Sequence, residues 1–396
     1  MSDVPHFLHV FPSFGVGGVP IRIANVLNHF GRRYRHTIVA LDGAYAARTR
    51  LRPELDVALP ELRIRKERHI ETLLTFARTL RATAPDLLLT YNWGATEWAL
   101  LNTFLRRGPH IHFESGFGPE ESDRQVPRRI WVRRAALWGA NLIVVPSSTL
   151  FDLALNTWRL DPARVAYIPN GVDCRRFAAA PRSDAISGFS KADGETVVGT
   201  LAPLRVEKNI GRLLRAFATL PKDPKLRCVI VGDGPERGKL QALANELGIA
   251  ARTVFAGHIE APEQVLGLFD IFAISSDTEQ MPNTILQAMA AGLPIGGVDV
   301  GDVRPMMAPA NRPLIVPRSD ESGFAASLRR LVDEPSLRAD LGRQNAAHVR
   351  AHYDQSRMFA AYGELFEAAL ATRSGRAATV KSDWRPEENE RPGVTR

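Results

Sequence analysis

His6-Phe7-Leu8-His9-Val10-Phe11, followed by the turn Gly15-Val16-Gly17-Gly18 and by apolar residues at helical spacing over 21–30, is the stretch that decides the fold. A short, mostly apolar run reads as a buried strand, and the change to a helical period directly after a glycine turn makes a strand–loop–helix unit. Outward from it, 37–41, 87–90, 111–113 and 141–145 read as further short strands, separated by helical stretches at 71–81 and 128–138. This alternation predicts a parallel sheet covered by helices, an α/β architecture.

The pattern then restarts. Ile168-Pro169-Asn170-Gly171-Val172-Asp173 leads into a polar stretch at 182–194, after which strands at 196–199, 226–231, 253–256, 271–274 and 294–298 alternate with helices at 210–220, 238–247 and 283–291. The expected organisation is a first domain over 1–175, a second over 176–354, a closing helix at 355–371 and a disordered tail at 372–396 rich in Pro, Arg, Glu and Ser. No internal repeat is visible in sequence; the halves share an architecture only.

With 396 residues, 45% of them hydrophobic, 24% charged and 8% aromatic, the chain reads as a folded protein rather than a disordered, fibrous or membrane-embedded one. Its longest apolar stretch, 135–146, is interrupted by Asn141 and falls short of the ~20 residues a bilayer demands. The start, Met1-Ser2-Asp3-Val4-Pro5-His6, lacks the basic and apolar regions of a secretory signal, and Cys174 and Cys228 are the two cysteines. The expectation is a cytoplasmic protein without disulfides or a zinc cluster.

Charge is uneven. The chain carries 51 Lys and Arg against 43 Asp and Glu; 23 against 16 fall within 1–175 and 28 against 27 after it. Arg32-Arg33, Arg48/Arg50/Arg52, Arg63/Arg65/Lys66/Arg68 and Arg128-Arg129/Arg133-Arg134 suit an anionic membrane surface or a phosphate-bearing substrate, with a solubilising surface as the plain alternative. No nucleic-acid signature accompanies them, so nucleic acid is not expected as a partner.

Four segments carry candidate chemistry. Gly17-Gly18, after the first strand, frees backbone amides to approach a diphosphate, although such a turn also simply reverses a chain. Arg205 and Lys208 follow the first strand of the second half, where open α/β sheets bind ligands, and could neutralise a leaving diphosphate. Gly232-Asp233-Gly234-Pro235 reads as a structural turn. The segment from Ser275 to Pro294 runs from a strand end through a loop into a helix near Asn283, with Glu279 and Gln287 eight residues apart and able to flank one ligand at that helix N-terminus.

Taken in order, Gly17-Gly18, Val145-Pro146-Ser147-Ser148, Ile168 to Asp173, the Arg205/Lys208 loop, Val231 to Pro235 and Glu279 through Gly292 resemble the retaining glycosyltransferases of family 4 over nearly the whole folded chain. The resemblance implies a GT-B fold, two Rossmann-like domains with parallel sheets facing across a cleft, the first binding the acceptor and the second a nucleotide-sugar. It implies no metal and no cofactor beyond the nucleoside diphosphate sugar substrate. Lys208, Arg205 and Glu279 would be catalytic, while Gly17, Gly18, Ile259, Met281, Pro282, Asn283, Thr284 and Gln287 would bind the donor. Glu114 and Ser115 would lie on the acceptor side.

This sequence departs from the family pattern at four places: Gln287 stands for the second Glu, Pro203 for a common Arg, Pro20 for a common Glu, and Glu114-Ser115 where a His is usual. Arg205 is read as supplying the charge missing at Pro203, and strand alternation is read as burying His112 as a neutral core residue. The implied activity is retaining sugar transfer to a glycan or lipid-diphosphate acceptor in cell-surface polysaccharide synthesis, at the inner face of the membrane. The alternatives are a nucleotide-sugar epimerase on the same fold and a non-catalytic sugar-nucleotide or glycan-binding protein.

Overall fold

The computed structural model describes residues 4–62, 69–105, 107–117, 121 and 125–373. Arg63, Arg65, Lys66 and Arg68 lie outside them, as does the tail beyond 373. Contacts divide the chain into two units: the described residues up to Pro169 with those from Met358 onward, and Asn170–Arg357. The division lies a few residues from the expected 175/176 and 354/355. Backbone bonds account for its position, because the Val172 N–H donates to the Tyr353 carbonyl and the Gln355 N–H to the Val172 carbonyl, both at 2.9 Å.

The first unit is built on β1 (His6–Phe11), α1 (Gly18–Phe30), β2 (Arg35–Ala40), β3 (Val57–Ala58), α2 (His69–Thr83), β4 (Leu87–Tyr91), α3 (Thr96–Leu105), β5 (His110–Phe113), α4 (Pro127–Leu137), β6 (Leu142–Val145), α5 (Ser148–Asp152) and β7 (Val165–Tyr167). Its strands form one parallel sheet in the order β3-β2-β1-β4-β5-β6-β7. All six residues of β1 are buried, which requires both faces of the sheet to be covered. Phe7 and Phe11 point into one layer and Leu8 and Val10 into the other, where Phe76 and Trp98 await them.

The second unit comprises α6 (Cys174–Phe177), β8 (Thr196–Leu201), α7 (Ile210–Ala218), β9 (Leu226–Val231), α8 (Arg237–Glu246), β10 (Thr253–Gly257), β11 (Ile271–Ile274), α9 (Asn283–Ala290), β12 (Ile295–Asp299), β13 (Ile315–Pro317), α10 (Glu321–Asp333) and α11 (Pro335–His352). Its parallel sheet runs β10-β9-β8-β11-β12-β13. On α7, Ile210, Leu213, Leu214 and Phe217 form a buried stripe, each contributing about 1.5–3 kcal/mol on transfer from water. The two free cysteines are both buried here, and burial pushes each thiol up to about 12, which leaves them as packing residues.

The last helix, α12 (Gln355–Arg373), begins in the second unit and sends Met358, Phe359, Tyr362, Leu365, Phe366 and Ala369 into the Phe7/Phe11 layer of the first. No helix among the described residues is long and apolar enough to cross a membrane. Both parallel sheets of the expected α/β architecture are present. The sequence reading did not anticipate β3, β7 and β13, of two or three residues each, the short helices α5 and α6, α3, which is apolar nearly all round, α11, which exposes half of its 18 residues, or α10, although Phe324, Leu328 and Leu331 give α10 a buried stripe.

The first sheet buries histidines. His9 bridges the Tyr91 hydroxyl at 2.9 Å and His36 Nδ1 at 3.0 Å, and the Thr90 hydroxyl sits between His110 Nε2 at 2.7 Å and His112 Nδ1 at 2.8 Å. Burial lowers His36 and His110 from 6.5 to about 3, so both stay neutral in the fold. The unfolded chain takes up protons near 6.5 that the folded one refuses, so stability falls as pH drops below 6.5 and keeps falling toward 3. By pH 5 each should cost about 2 kcal/mol relative to neutrality, read as a lowered melting temperature. His110→Gln, which keeps a partner for Thr90, should flatten that slope; an unchanged slope would contradict the assignment.

Candidate functional site

In the second unit β8 lies between β9 and β11. The chain leaving β8 crosses to one side of the sheet and the chain leaving β11 to the other, so their loops diverge and open a crevice at the carboxyl edge. Lys208 is on the first loop and Glu279 on the second. The Lys208 ammonium donates to Glu279 Oε1 at 2.6 Å, and the Ser276 hydroxyl donates to the same oxygen at 2.7 Å. Their side chains are 19% and 13% exposed, deep enough for the charges to be felt and open enough for a ligand to reach them. Glu279 is the sole hydrogen-bond partner of the ammonium among the described residues, and two of its three protons can turn to an anion.

A rigid clamp holds the two loops. Asn209 sits in the left-handed region at φ 40°, which asparagine tolerates better than most residues. Its side-chain oxygen caps α7 by accepting the Arg212 N–H at 3.2 Å, while Nδ2 donates to both Asp277 oxygens at 3.2 and 3.1 Å. The buried Arg212 guanidinium donates to Asp277 Oδ1 at 2.8 Å and to the Ser275 carbonyl at 2.7 Å. The Ser275 hydroxyl donates to the Lys208 carbonyl at 3.1 Å and the Asp277 N–H to the Glu207 carbonyl at 2.8 Å. From a third side, Gly301 at φ +55° lies under the Glu279 carbonyl, 2.3 Å from where a Cβ would stand, so a side chain there would push Glu279 out of place.

The Gly232-Asp233-Gly234 turn backs the same loop, as its reading as structural implies. Cβ atoms at Gly232 and Gly234 would stand 1.9 Å from the Ala202 carbonyl oxygen and 2.4 Å from that of Leu204. Arg205 stands on the same loop as Lys208, with a different partner. Its side chain is 61% exposed, 3.7 Å from Glu207, and the structure does not bring it to the Lys208–Glu279 pair. The cations that bind the Glu279-bearing loop and were missed in the sequence are Arg212 and Arg318, the latter donating to the Asp277 carbonyl at 3.0 Å. Arg212 was legible only as a helix residue, since nothing local pairs it with Asp277.

The loop carrying Glu279 runs directly into α9, which begins at Asn283 with no side-chain cap and no acid in its first turn, leaving its N-terminus suited to an anion. Asn283 and Thr284 are partly exposed there, and the buried Gln287 Oε1 has no hydrogen-bond partner among the described residues. Met281 and Pro282 are buried instead: Met281 Sδ accepts the Asn170 N–H at 3.1 Å and its carbonyl accepts from Asn170 Nδ2 at 3.0 Å. Ile259 packs partly buried against the same core.

The first unit has its own reversal beside β1, between β2 and β4. Gly17 and Gly18 open α1 with no side-chain cap and no acid in the first turn. One turn on, the Arg22 guanidinium donates to the Ser115 hydroxyl at 2.8 Å, and the Ser115 N–H donates to Asn92 Oδ1 at 2.8 Å. Asn92 is held at φ 55°, ψ −179°, a conformation natural to glycine.

Glu114 differs from its expected place. Period-two alternation puts it on the inward side with His110 and His112, fully buried, 3.5 Å from Arg133 Nε and 3.7 Å from His112 Nε2. Arg133 is itself gripped by both Glu121 oxygens at 3.0 and 2.8 Å and lies over Trp93 and Phe117 at 4.9 Å. Ser115, on the opposite alternation, is the member of the pair that reaches the Arg22 side. His112 is fully buried, as alternation implies.

Two family models account for most of the chain: Glycosyltransferase Family 4 over residues 16–176 and Glycosyl transferases group 1 over residues 182–348. Among curated proteins, the chain is 33% identical over 144 residues to the lipopolysaccharide core biosynthesis glycosyltransferase LpsD of Rhizobium meliloti, covering 36% of this chain and 42% of that protein. It is 27% identical over 297 residues to the D-inositol 3-phosphate glycosyltransferase of Stackebrandtia nassauensis, covering 71% and 65%. The chain thus spans less than two thirds of either relative's length. In fold it is similar to Anabaena Alr3699/HepE, solved in complex with UDP, with TM-score 0.74, 17% identity and coverage of 92% of this chain and 100% of that one. Every strand of both sheets except β1 falls within the matched segments, and the chain belongs to the group 1, family 4 glycosyltransferases of GT-B fold.

Proposed function

We propose that this chain transfers a sugar, with retention, from a nucleoside diphosphate sugar to a hydroxyl of a glycan or lipid-linked acceptor in cell-surface polysaccharide synthesis, at the inner face of an anionic membrane. The observation that carries the reading is the meeting of Lys208 and Glu279 at the reversal of strand order beside β8. The family, the LpsD relative and the UDP held by the HepE neighbour support it.

In this reading the donor diphosphate lies against the open N-terminus of α9 and the Lys208 ammonium. As the glycosidic bond breaks, negative charge grows on the bridging oxygen, and a fixed ammonium interacts more strongly with that state than with bound donor. Glu279 accepts hydroxyl protons of the sugar while keeping Lys208 in place, and Gln287 turns its unpartnered oxygen to a ribose hydroxyl. The departing diphosphate assists removal of the acceptor proton on the same face. Lys208 supplies the positive charge for which other enzymes use a divalent ion, so turnover should survive EDTA; full loss in EDTA, restored by manganese or magnesium, would overturn that part.

Lys208→Ala should lower kcat about 100-fold, or ~2.7 kcal/mol, with a smaller change in donor affinity. Lys208→Arg should recover part of the loss, since a planar fork does not fill the place of a compact ammonium. Single-turnover rates across a donor titration separate the two quantities; weakened binding with intact kcat would make Lys208 a recognition residue. Arg205→Ala should have a smaller effect than Lys208→Ala because its side chain is exposed beside Glu207, and an equal defect would show that Arg205 supplies charge to the leaving diphosphate as well.

Glu279→Ala should reduce turnover more than Gln287→Ala, and Gln287→Glu should be tolerated, because either side chain accepts a hydroxyl proton. Donor hydrolysis without acceptor, followed as nucleoside diphosphate release, checks both and separates an enzyme from a sugar-nucleotide binder. Unchanged hydrolysis in Glu279→Ala would remove the donor sugar from this site.

A further inference from the structure

At the opposite edge of the first unit's sheet from Gly17, Asn92 and Ser115 lies a cavity of about 400 Å3 where α4 ends and β6 and β7 begin. Arg134, Arg159 and Arg164 line it against a single acid, Asp161, together with Trp138, Leu160 and other apolar groups. Arg159 and Arg164 are exposed, and Arg164 donates to the Trp138 carbonyl at 2.9 Å while standing 3.6 Å from Asp161. Along α4 and just past its end, Arg128, Trp131, Ala135 and Trp138 follow at helical spacing and are all exposed. Trp131 is 68% and Trp138 75% exposed, and Arg134 lies over the Trp131 ring at 4.9 Å. Phe104, 77% exposed, stands on α3, which packs against α4.

Two bare indoles on one stripe are costly in water and stable where a bilayer's headgroups meet its hydrocarbon, since the ring is apolar and its N–H remains wet. Arginines beside them prefer phosphate, which a guanidinium can grip with two parallel N–H bonds. The excess of Lys and Arg over 1–175 favours a negatively charged surface for the same face. We propose that this face docks on an anionic lipid bilayer, with Trp131 and Trp138 entering the interface and the Arg134/Arg159/Arg164 cavity seating a lipid headgroup phosphate. The inference rests on the membrane-surface part of the proposed function and names the surface, which lies away from the first unit's own carboxyl-edge loops.

The test is co-sedimentation of the full chain with phosphatidylglycerol–phosphatidylcholine vesicles and with phosphatidylcholine vesicles alone, using the double variants Arg159→Glu/Arg164→Glu and Trp131→Ser/Trp138→Ser. The wild type should favour the anionic vesicles and lose binding with salt, and each double variant should bind them about tenfold less while hydrolysing donor in solution at the wild-type rate. Brominated lipid should quench wild-type tryptophan fluorescence, and Trp131→Phe/Trp138→Phe should abolish that quenching. If the wild type binds anionic vesicles and both double variants bind equally well, this face is not the seat, although membrane attachment stands. If the wild type ignores anionic vesicles, membrane attachment falls and the docking face with it, leaving sugar transfer to be judged by donor hydrolysis. Loss of self-association in the variants, with vesicle binding unchanged, would reassign the stripe to contact with a second copy of the chain.

Discussion

A parallel strand whose neighbours on its two sides are reached by crossovers in opposite directions leaves a gap at its carboxyl end that no loop closes, and the candidate site is built in that gap. At β8 the gap brings an ammonium and a carboxylate from residues 71 positions apart to 2.6 Å. Neither charge would be well placed by its own loop. Their registry is set by Asn209, Asp277 and Arg212, whose bonds tie the two loops to the start of α7, and by the backbone of Gly301 beneath Glu279. Desolvating such a cluster costs free energy that stability alone would not justify, and what it supplies is charge held ready before a ligand arrives.

The first unit repeats the geometry with different chemistry. Its gap beside β1 is lined by a glycine-opened helix, Arg22, Ser115 and a constrained Asn92, whereas its interior is stiffened by neutral histidines and by Arg133 enclosed between Glu121 and aromatic rings. Arg133 and Arg22 show the two ways in which a buried guanidinium is used here. One is locked bidentate to a carboxylate inside a hydrophobic shell, and the other rests on a hydroxyl at the edge where ligands of open α/β sheets bind.

The distribution of polarity follows the sheets. Faces covered by helices tolerate histidine only when neutral and hydrogen-bonded, as burial keeps His36 and His110, while the carboxyl edges concentrate charge. The exposed Trp131–Trp138 stripe belongs to neither pattern. It lies on an outer helix face, where aromatic surface contributes nothing to the packing of the chain itself.

The alternating architecture is legible along the chain, because strands buried on both faces read as continuous apolar runs: β1, β9 and β11 begin and end at the residues their runs indicate. So are the glycine turns, the restart after the polar stretch at 182–194, and the loops that carry Lys208 and Glu279, since glycines and charges directly after strands are local signals. Which charges meet is visible in the folded chain alone. Arg205 and Lys208 are equivalent cations in one dimension, yet one faces solvent beside Glu207 and the other meets Glu279. Arg212 finds Asp277 across 65 residues, and Glu114 turns inward to Arg133 while Ser115 turns to Arg22. Backbone period and turn chemistry act over a few residues and are written locally, whereas an ion pair depends on strand order, which the contacts of the whole sheet decide.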